Sequence, residues 1–313
     1  MLQQTQVATV IPYYSRFTER FPDVGALAAA DLDQVLALWA GLGYYARARN
    51  MHRTAGIIVN QYDRKFPQAM EEVMSLPGIG RSTAAAILAL SRGERHAILD
   101  GNVKRVLSRC FRVEGITGSA ATIKHLWKIA ERLTPDTRVD DYTQAIMDLG
   151  AVICTRSKPM CDACPVAGLC EAHIHQVVSR YPLPRAKRTR PKRCAEFLLL
   201  LTQSEEVLLE RRPPTGIWGG LWCLPQTDDS VEWIEQRLGH RDLQFENHPP
   251  FIHQFTHFDL EIRPIGAMVE REAMHLADDD ALRWHNREDL DTIGLPAPIR
   301  KLFDTLNIGN TTN

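Results

Sequence analysis

At 313 residues the chain is long enough for two domains of ordinary size, each with its own core. No uninterrupted apolar run approaches the roughly twenty residues that a membrane helix needs, and the N-terminus lacks the basic-then-apolar layout of a signal peptide, so a cytosolic protein is expected. The formal net charge of -1 conceals an asymmetry: up to Arg193 there are 27 Lys and Arg against 17 Asp and Glu, a net +10, and beyond it 10 against 21, a net -11, which turns the first part toward a polyanion unless its surface is merely lopsided.

Up to about Ala172 apolar residues recur at spacings of three and four, as in Leu32, Val35, Leu36 and Trp39 and again in Ala84, Ile87 and Leu88, which predicts helices separated by Gly or Pro turns. Asp31 is placed to cap the first of these stretches, and Gly41 and Gly43 mark its end. Leu76-Pro77-Gly78-Ile79-Gly80-Arg81-Ser82 reads as a tight turn between two helices. Such a turn aims several backbone N–H groups outward at a helix N-terminus, where a phosphate is well held, although Pro-Gly-x-Gly alone is only a turn signal. Asp100 follows in Ile98-Leu99-Asp100-Gly101-Asn102. It is a good helix N-cap, and also a carboxylate at a fixed distance from the turn.

Four of the seven cysteines crowd into one loop with the spacing Cys154-x6-Cys161-x2-Cys164-x5-Cys170, while Cys110, Cys194 and Cys223 are scattered. In a reducing compartment such crowding reads as metal ligation. Four thiolates suit one four-iron four-sulfur cluster or one tetrahedral zinc, and the single Cys-x2-Cys pair departs from the two tight knuckles usual for zinc. Arg156, Lys158 and Arg180 flank the loop and suggest a structural element that faces the polyanion. Tyr181 to Arg193 holds three prolines and six basic residues with little to bury, a linker that either spaces two domains or straps across a DNA backbone. Short β-branched and Leu-rich runs follow, Phe197 to Thr202, Val207 to Glu210 and Phe258 to Val269, then an apolar-periodic stretch from Ile299 to Leu306, which predicts an α+β domain.

The hairpin and the downstream Asp together resemble the helix-hairpin-helix DNA glycosylases, and the cysteine spacing resembles the iron-sulfur loop of the endonuclease III and MutY glycosylases. Met1-Leu2-Gln3-Gln4-Thr5-Gln6-Val7, Gly41-Leu42-Gly43-Tyr44-Tyr45-Ala46-Arg47, the segment from Ile98 to Val106, and Met147-Asp148-Leu149-Gly150-Ala151 are similar to the MutY-type adenine DNA glycosylases in particular. The likeness runs over nearly the whole chain. It implies a multidomain fold, with an all-α helix-hairpin-helix glycosylase domain over 1–180 carrying the iron-sulfur loop 154–170, the basic linker 181–193, and an α+β Nudix-like domain over 194–308. It also implies one four-iron four-sulfur cluster on Cys154, Cys161, Cys164 and Cys170, and a monomer acting in the cytoplasm on double-stranded DNA. The implied substrate is adenine mispaired with 8-oxoguanine or guanine.

By the same resemblance Pro77, Gly78, Gly80, Ser82 and Lys104 meet the DNA, Gln4 and Tyr44 fill the space beside the orphaned purine, and Phe255-Thr256-His257 senses 8-oxoguanine, with Thr where the family has Ser. Taken without the family, Tyr44 is equally a core residue and His257 an ordinary strand or surface histidine. The bifunctional endonuclease III relatives carry a Lys where this chain has Ser82, and a serine cannot form their Schiff base, so base removal without efficient strand cleavage is expected. Gly216-Ile217-Trp218-Gly219-Gly220-Leu221-Trp222 fits the Nudix-like domain, yet no Arg-Glu-x-x-Glu-Glu helix follows to hold Mg²⁺, so pyrophosphatase activity is not expected.

Cleaving an N-glycosidic bond builds positive charge on the sugar and negative charge on the departing base, which one ionised and one protonated carboxyl would meet. The resemblance gives the first role to Asp100, with Asn102 positioning water or Asp100. It gives the second to a glutamate two residues before the Met-Leu-Gln-Gln-Thr segment, and this sequence begins at that Met; Asp148 is better read as structural or accessory. The chain as written is therefore expected to bind mispaired DNA but to release adenine poorly, losing on the order of a hundredfold to ten-thousandfold in rate. A non-catalytic mismatch-binding remnant is the alternative, and an endonuclease III-like lyase is disfavoured by Ser82 and the second domain.

Overall fold

The computed structural model describes residues 1–3, 5, 7–183, 189–239, 243–270, 281–306 and 308. The contacts divide the chain into two compact units that do not follow chain order: Met1–Lys65 with Thr189–Asn313, and Phe66–Arg188. No helix among the described residues is long and apolar enough to cross a membrane.

The first unit begins with four helices, α1 (Val7–Arg20), α2 (Val24–Ala29), α3 (Leu32–Trp39) and α4 (Ala46–Gln61). Asp23 caps α2 by accepting from Ala26 N at 2.8 Å. Asp31 occupies the N-cap of α3 as the sequence predicts, though its side chain makes no capping bond there. The three-and-four spacing puts Val35, Leu36 and Trp39 on one stripe of α3, and all three are fully buried.

That stripe packs on a mixed eight-stranded sheet built from the last third of the chain. β1 (Lys192–Thr202) is central and runs parallel to β7 (Asp259–Val269), paired from Lys192 with Asp259 to Thr202 with Val269. β2 (Glu206–Arg211) joins the other edge of β1 antiparallel, followed outward by β3 (Trp222–Cys223) and β8 (Leu282–Asn286) on β2. β4 (Gln226–Thr227) pairs with β1, while β5 (Glu246–Asn247) and β6 (Phe251–Gln254) pair with β7. Phe197 to Leu200 form a continuous apolar run because both faces of β1 are covered. Leu198 and Leu200 meet α11 (Ser230–Leu238) through Ile234 and Leu238. Phe197 and Leu199 turn to the other side, where α3 and α12 (Ala297–Thr305) lie.

The second unit holds α5 (Met70–Ser75), α6 (Arg81–Arg92), α7 (Gly101–Cys110), α8 (Ala120–Leu133) and α9 (Val139–Asp148) around Leu99, Val103, Leu107 and Leu126. A π-helical turn (Leu149–Ile153) continues α9 into the cysteine loop, and the short α10 (Glu171–Ile174) leaves it. Two ends of the expected linker differ from the sequence reading. Tyr181 is only 1% exposed and packs with Cys170 and Ala172, and β1 already begins at Lys192 because its backbone pairs with β7.

Candidate functional site

Three of the expected site regions, the glycine turn, the Asp100 segment and the cysteine loop, lie in the second unit. The turn after α5 exposes Gly78 and Gly80. Gly78 has φ +77, a left-handed conformation that glycine alone takes without strain. Gly80 is the N-cap of α6 and has no side chain to bond the first N–H groups of that helix; a Cβ there would meet nothing within 4 Å, so the backbone is open to close approach. Half-buried Pro77 lies in the same turn. Ser82 is engaged internally: its Oγ accepts from Leu99 N at 2.9 Å, tying the start of α6 to the residue before Asp100. The Arg81 guanidinium sits 3.9 Å from the centre of the Trp127 ring and pairs with Glu131 at 2.6 Å.

Asp100 is the N-cap of α7, and its Oδ1 accepts from Val103 N at 2.7 Å. Capping is thus what this carboxylate does in the fold, and the cap fixes its direction at the head of the helix. Asn102 stands in the first turn with Oδ1 accepting from Arg105 Nη2 at 2.9 Å. Lys104, half-buried, follows in the same turn. Arg105 also donates from Nε to the Cys154 carbonyl at 2.7 Å and from Nη2 to the Gly150 carbonyl at 2.5 Å, joining α7 to the start of the cysteine loop. The approach is close: a Cβ on Gly150 would stand 2.7 Å from Asn102 Cβ. Gln144 Nε2 donates to Asp148 Oδ1 at 2.8 Å on α9, an internal partner for the carboxylate that the sequence reading leaves structural.

Cys154, Cys161, Cys164 and Cys170 line one cavity whose other walls are chiefly apolar, including Val106, Leu149, Ile153 and Met160. Among the described residues no group of three or more His, Cys, Asp or Glu side chains closes tightly enough to hold a single metal ion. The four residues share the lining of one cavity instead. Burial, reinforced by the neighbouring cysteines, pushes the Cys161 thiol up. Two participants escaped the sequence reading. Cys110, the last residue of α7, lines the same cavity, and burial beside Cys170 raises its thiol strongly. Arg109, 2% exposed, donates from Nη1 to Cys154 Sγ at 3.2 Å and to the Thr155 carbonyl at 2.8 Å, from Nε to the Tyr181 carbonyl at 2.9 Å, and from Nη2 to the Arg156 carbonyl at 3.2 Å. A buried arginine within an otherwise helical apolar pattern was the available signal.

The remaining expected residues lie in the first unit, apart from Gln4, which is outside the described residues. Tyr44, 46% exposed, follows the glycine turn after α3 with φ +50, a conformation rare for an aromatic residue. Phe255, Thr256 and His257 form the tip of the β6–β7 hairpin, closed by Phe255 N donating to the Phe258 carbonyl at 2.9 Å. Phe255 is half-buried, stacked on Phe258 at 4.7 Å and packed against Trp218 at 5.4 Å, while Thr256 and His257 are exposed. Behind them His253 contacts Phe255 edge-on at 4.7 Å, and burial pushes its imidazole down.

Residues 1–132 match the HhH-GPD superfamily of base excision DNA repair proteins, and residues 196–305 match the NUDIX domain. The Adenine DNA glycosylase of Buchnera aphidicola subsp. Baizongia pistaciae (strain Bp) is 36% identical over 314 residues, spanning 99% of this chain and 88% of that protein. The Adenine DNA glycosylase of Homo sapiens is 30% identical over 359 residues, spanning 97% of this chain and 66% of that protein. Among solved structures, a thermostable thymine-DNA glycosylase is similar with a TM-score of 0.50 and 27% identity, over 56% of this chain and 80% of that one.

Proposed function

Because the chain belongs to the adenine DNA glycosylases, base excision repair enzymes that hydrolyse N-glycosyl bonds, we propose that its substrate is adenine mispaired with 8-oxoguanine or guanine in duplex DNA. One observation carries the reading: the Ser82–Leu99 bond couples the open glycine hairpin to Asp100 within one unit, so a phosphate held at α6 sets where the scissile sugar falls relative to the carboxylate. With the base out of the stack, Asp100 stabilises the oxocarbenium-like sugar through the oxygen that does not cap Val103, and Asn102, whose oxygen is held by Arg105, offers its amide nitrogen to the attacking water. Ser82 offers no amine for a Schiff base, consistent with hydrolysis alone.

The remaining site assignments follow from the same reading. Pro77, Gly78, Gly80 and Lys104 hold the backbone, Gln4 and Tyr44 occupy the space beside the orphaned purine, and the Phe255-Thr256-His257 tip contacts the opposite base. The cavity lined by Cys154, Cys161, Cys164 and Cys170 suits a four-iron four-sulfur cluster, because four thiol residues line one chiefly apolar cavity and Arg109 already supplies a hydrogen bond to one sulfur. When bound, the cluster would brace the loop; base removal itself is hydrolytic. A monomer suffices for this scheme.

A single-turnover measurement of adenine release from a duplex with adenine opposite 8-oxoguanine, with binding followed in parallel, tests the proposal. Mismatch-selective binding with slow release that Asp100→Asn abolishes supports an enzyme. Selective binding with no release, unchanged by Asp100→Asn, supports the mismatch-binding alternative. Equal affinity for matched and mispaired duplexes refutes both.

A further inference from the structure

The turn carrying Tyr44 and the N-terminal segment Met1 to Thr5 lie some forty residues apart in sequence and share one anchor. Arg47, in the first turn of α4, donates from Nη1 to the Met1 carbonyl at 2.6 Å and to the Gln3 carbonyl, and from Nη2 to Thr5 Oγ1 at 3.1 Å, the Gly43 carbonyl at 3.2 Å and the Leu42 carbonyl at 3.4 Å. Its guanidinium lies 5.3 Å from the centre of the Trp39 ring and 5.5 Å from that of Tyr44. Trp39 Nε1 also donates to the Gly43 carbonyl at 3.2 Å, so the glycine turn is held from α3 as well as α4.

We propose that Arg47 is the positioning residue for mispair recognition: its fork fixes Met1, Gln3 and Thr5 and the Leu42–Tyr44 turn in one register, and so sets the groups that fill the space beside the purine. The assignment rests on the proposed role of those two segments. Both Nη groups are committed inside the protein, and the Nε is buried away from solvent, so this arginine acts through the segments rather than on a phosphate. A lysine cannot replace it, because a single ammonium lacks two separated Nη groups in a rigid plane and does not span both segments. Tyr44 holds φ +50 while its carbonyl accepts from Arg47 N at 2.9 Å, so an unusual backbone conformation is pinned from the same residue.

The test compares the full chain with Arg47→Lys and Arg47→Met. In the DNA-free proteins amide exchange is followed at Leu2, Gln3 and Thr5 and at residues 42–45. In the complexes, fluorescence of 2-aminopurine in place of the adenine opposite 8-oxoguanine reports unstacking. Both variants are expected to exchange faster in both segments by about tenfold and to lose about tenfold in the ratio of mispaired to matched affinity. Wild-type exchange in either segment of Arg47→Lys overturns the proposal, as does wild-type unstacking in Arg47→Lys. Should Arg47→Met unfold, Arg47→Lys, which keeps the stem and charge, carries the test. If the wild-type chain itself shows no mispair-selective unstacking, the functional reading of the segments fails, and the exchange data still decide whether Arg47 holds them.

Discussion

Replacing Gly150 by alanine would test whether the packing of the π-helical turn on α7 sets the site. The new Cβ would lie 2.7 Å from Asn102 Cβ, 3.1 Å from its carbonyl carbon and 3.2 Å from its Cα. The first distance is 0.7 Å inside the 3.4 Å edge of ordinary contact, and two of the three atoms are backbone, which cannot swing aside as a side-chain end would. Overpacking of this kind costs about 1–3 kcal/mol, which at roughly 4 °C per kcal/mol lowers the melting temperature by about 4–12 °C. Relief requires the turn to move off α7, and that stretches the Arg105 bonds to the Gly150 and Cys154 carbonyls. Gly168, in the same cysteine loop, is the matched control, since a Cβ there meets nothing within 4 Å. Thermal unfolding of both variants decides the matter. Gly150→Ala melting within about 1 °C of the parent, or no lower than Gly168→Ala, would refute the reasoning.

Asp100→Asn keeps an N-cap of equal quality, so its melting temperature should stay near that of the parent while any adenine release falls about a hundredfold or more; Asp100→Ala should in addition lose about 1 kcal/mol of cap, read by urea unfolding. Arg109→Met leaves the Thr155, Arg156 and Tyr181 carbonyls without their buried donor, and at about 1 kcal/mol or more each it should destabilise the second unit by roughly 3–5 kcal/mol and reduce the iron recovered with the protein. Burial pushes His253 and His285 below their ordinary 6.5, so both stay neutral in the fold at a pH where the unfolded chain has begun to take up protons. Their contribution is complete above pH 6.5 and is lost as the pH falls below it. Melting of the parent should therefore drop more between about pH 7.5 and 5 than that of a His253→Gln, His285→Gln double variant, and equal drops would refute the assignment.

Local chemistry made much of this legible in the sequence. The stripe of Leu32, Val35, Leu36 and Trp39 gives α3 almost residue for residue, and the run from Phe197 to Thr202 gives the buried part of β1. The helical first half and the mixed α+β second half follow from the same periodicities. What remained hidden depends on distance through space. Cys110 looked like a stray thiol because nothing in its neighbourhood says that α7 ends at the cysteine cavity. Tyr181 looked like linker because prolines and basic residues follow it, yet its ring and carbonyl belong to the packing around Arg109. The family-like segment Met147 to Ala151 says nothing of how tightly Gly150 packs until α7 is placed against it. Nor does the pattern of α3 say that its apolar stripe shares one core with Leu221 and Phe303, nearly two hundred and more residues later.

That last pairing sets a timetable for synthesis. The second unit is one uninterrupted stretch and is available to fold as soon as it is made, whereas the first is assembled from the two extremes of the chain. Val35, Leu36 and Trp39 emerge early and cannot be covered by β1, β7 and α12 until Phe303 has been added. At about 5–20 residues per second that interval is roughly 10–50 s, during which an apolar helix face stands open beside a growing chain. The parallel β1–β7 pair, whose partners lie 67 positions apart from Lys192 with Asp259 onward, adds a slow step of its own once synthesis ends. Overproduction at lower temperature, or with a holding chaperone that shields the early helices, should accordingly raise the yield of folded protein more than any change made within the second unit.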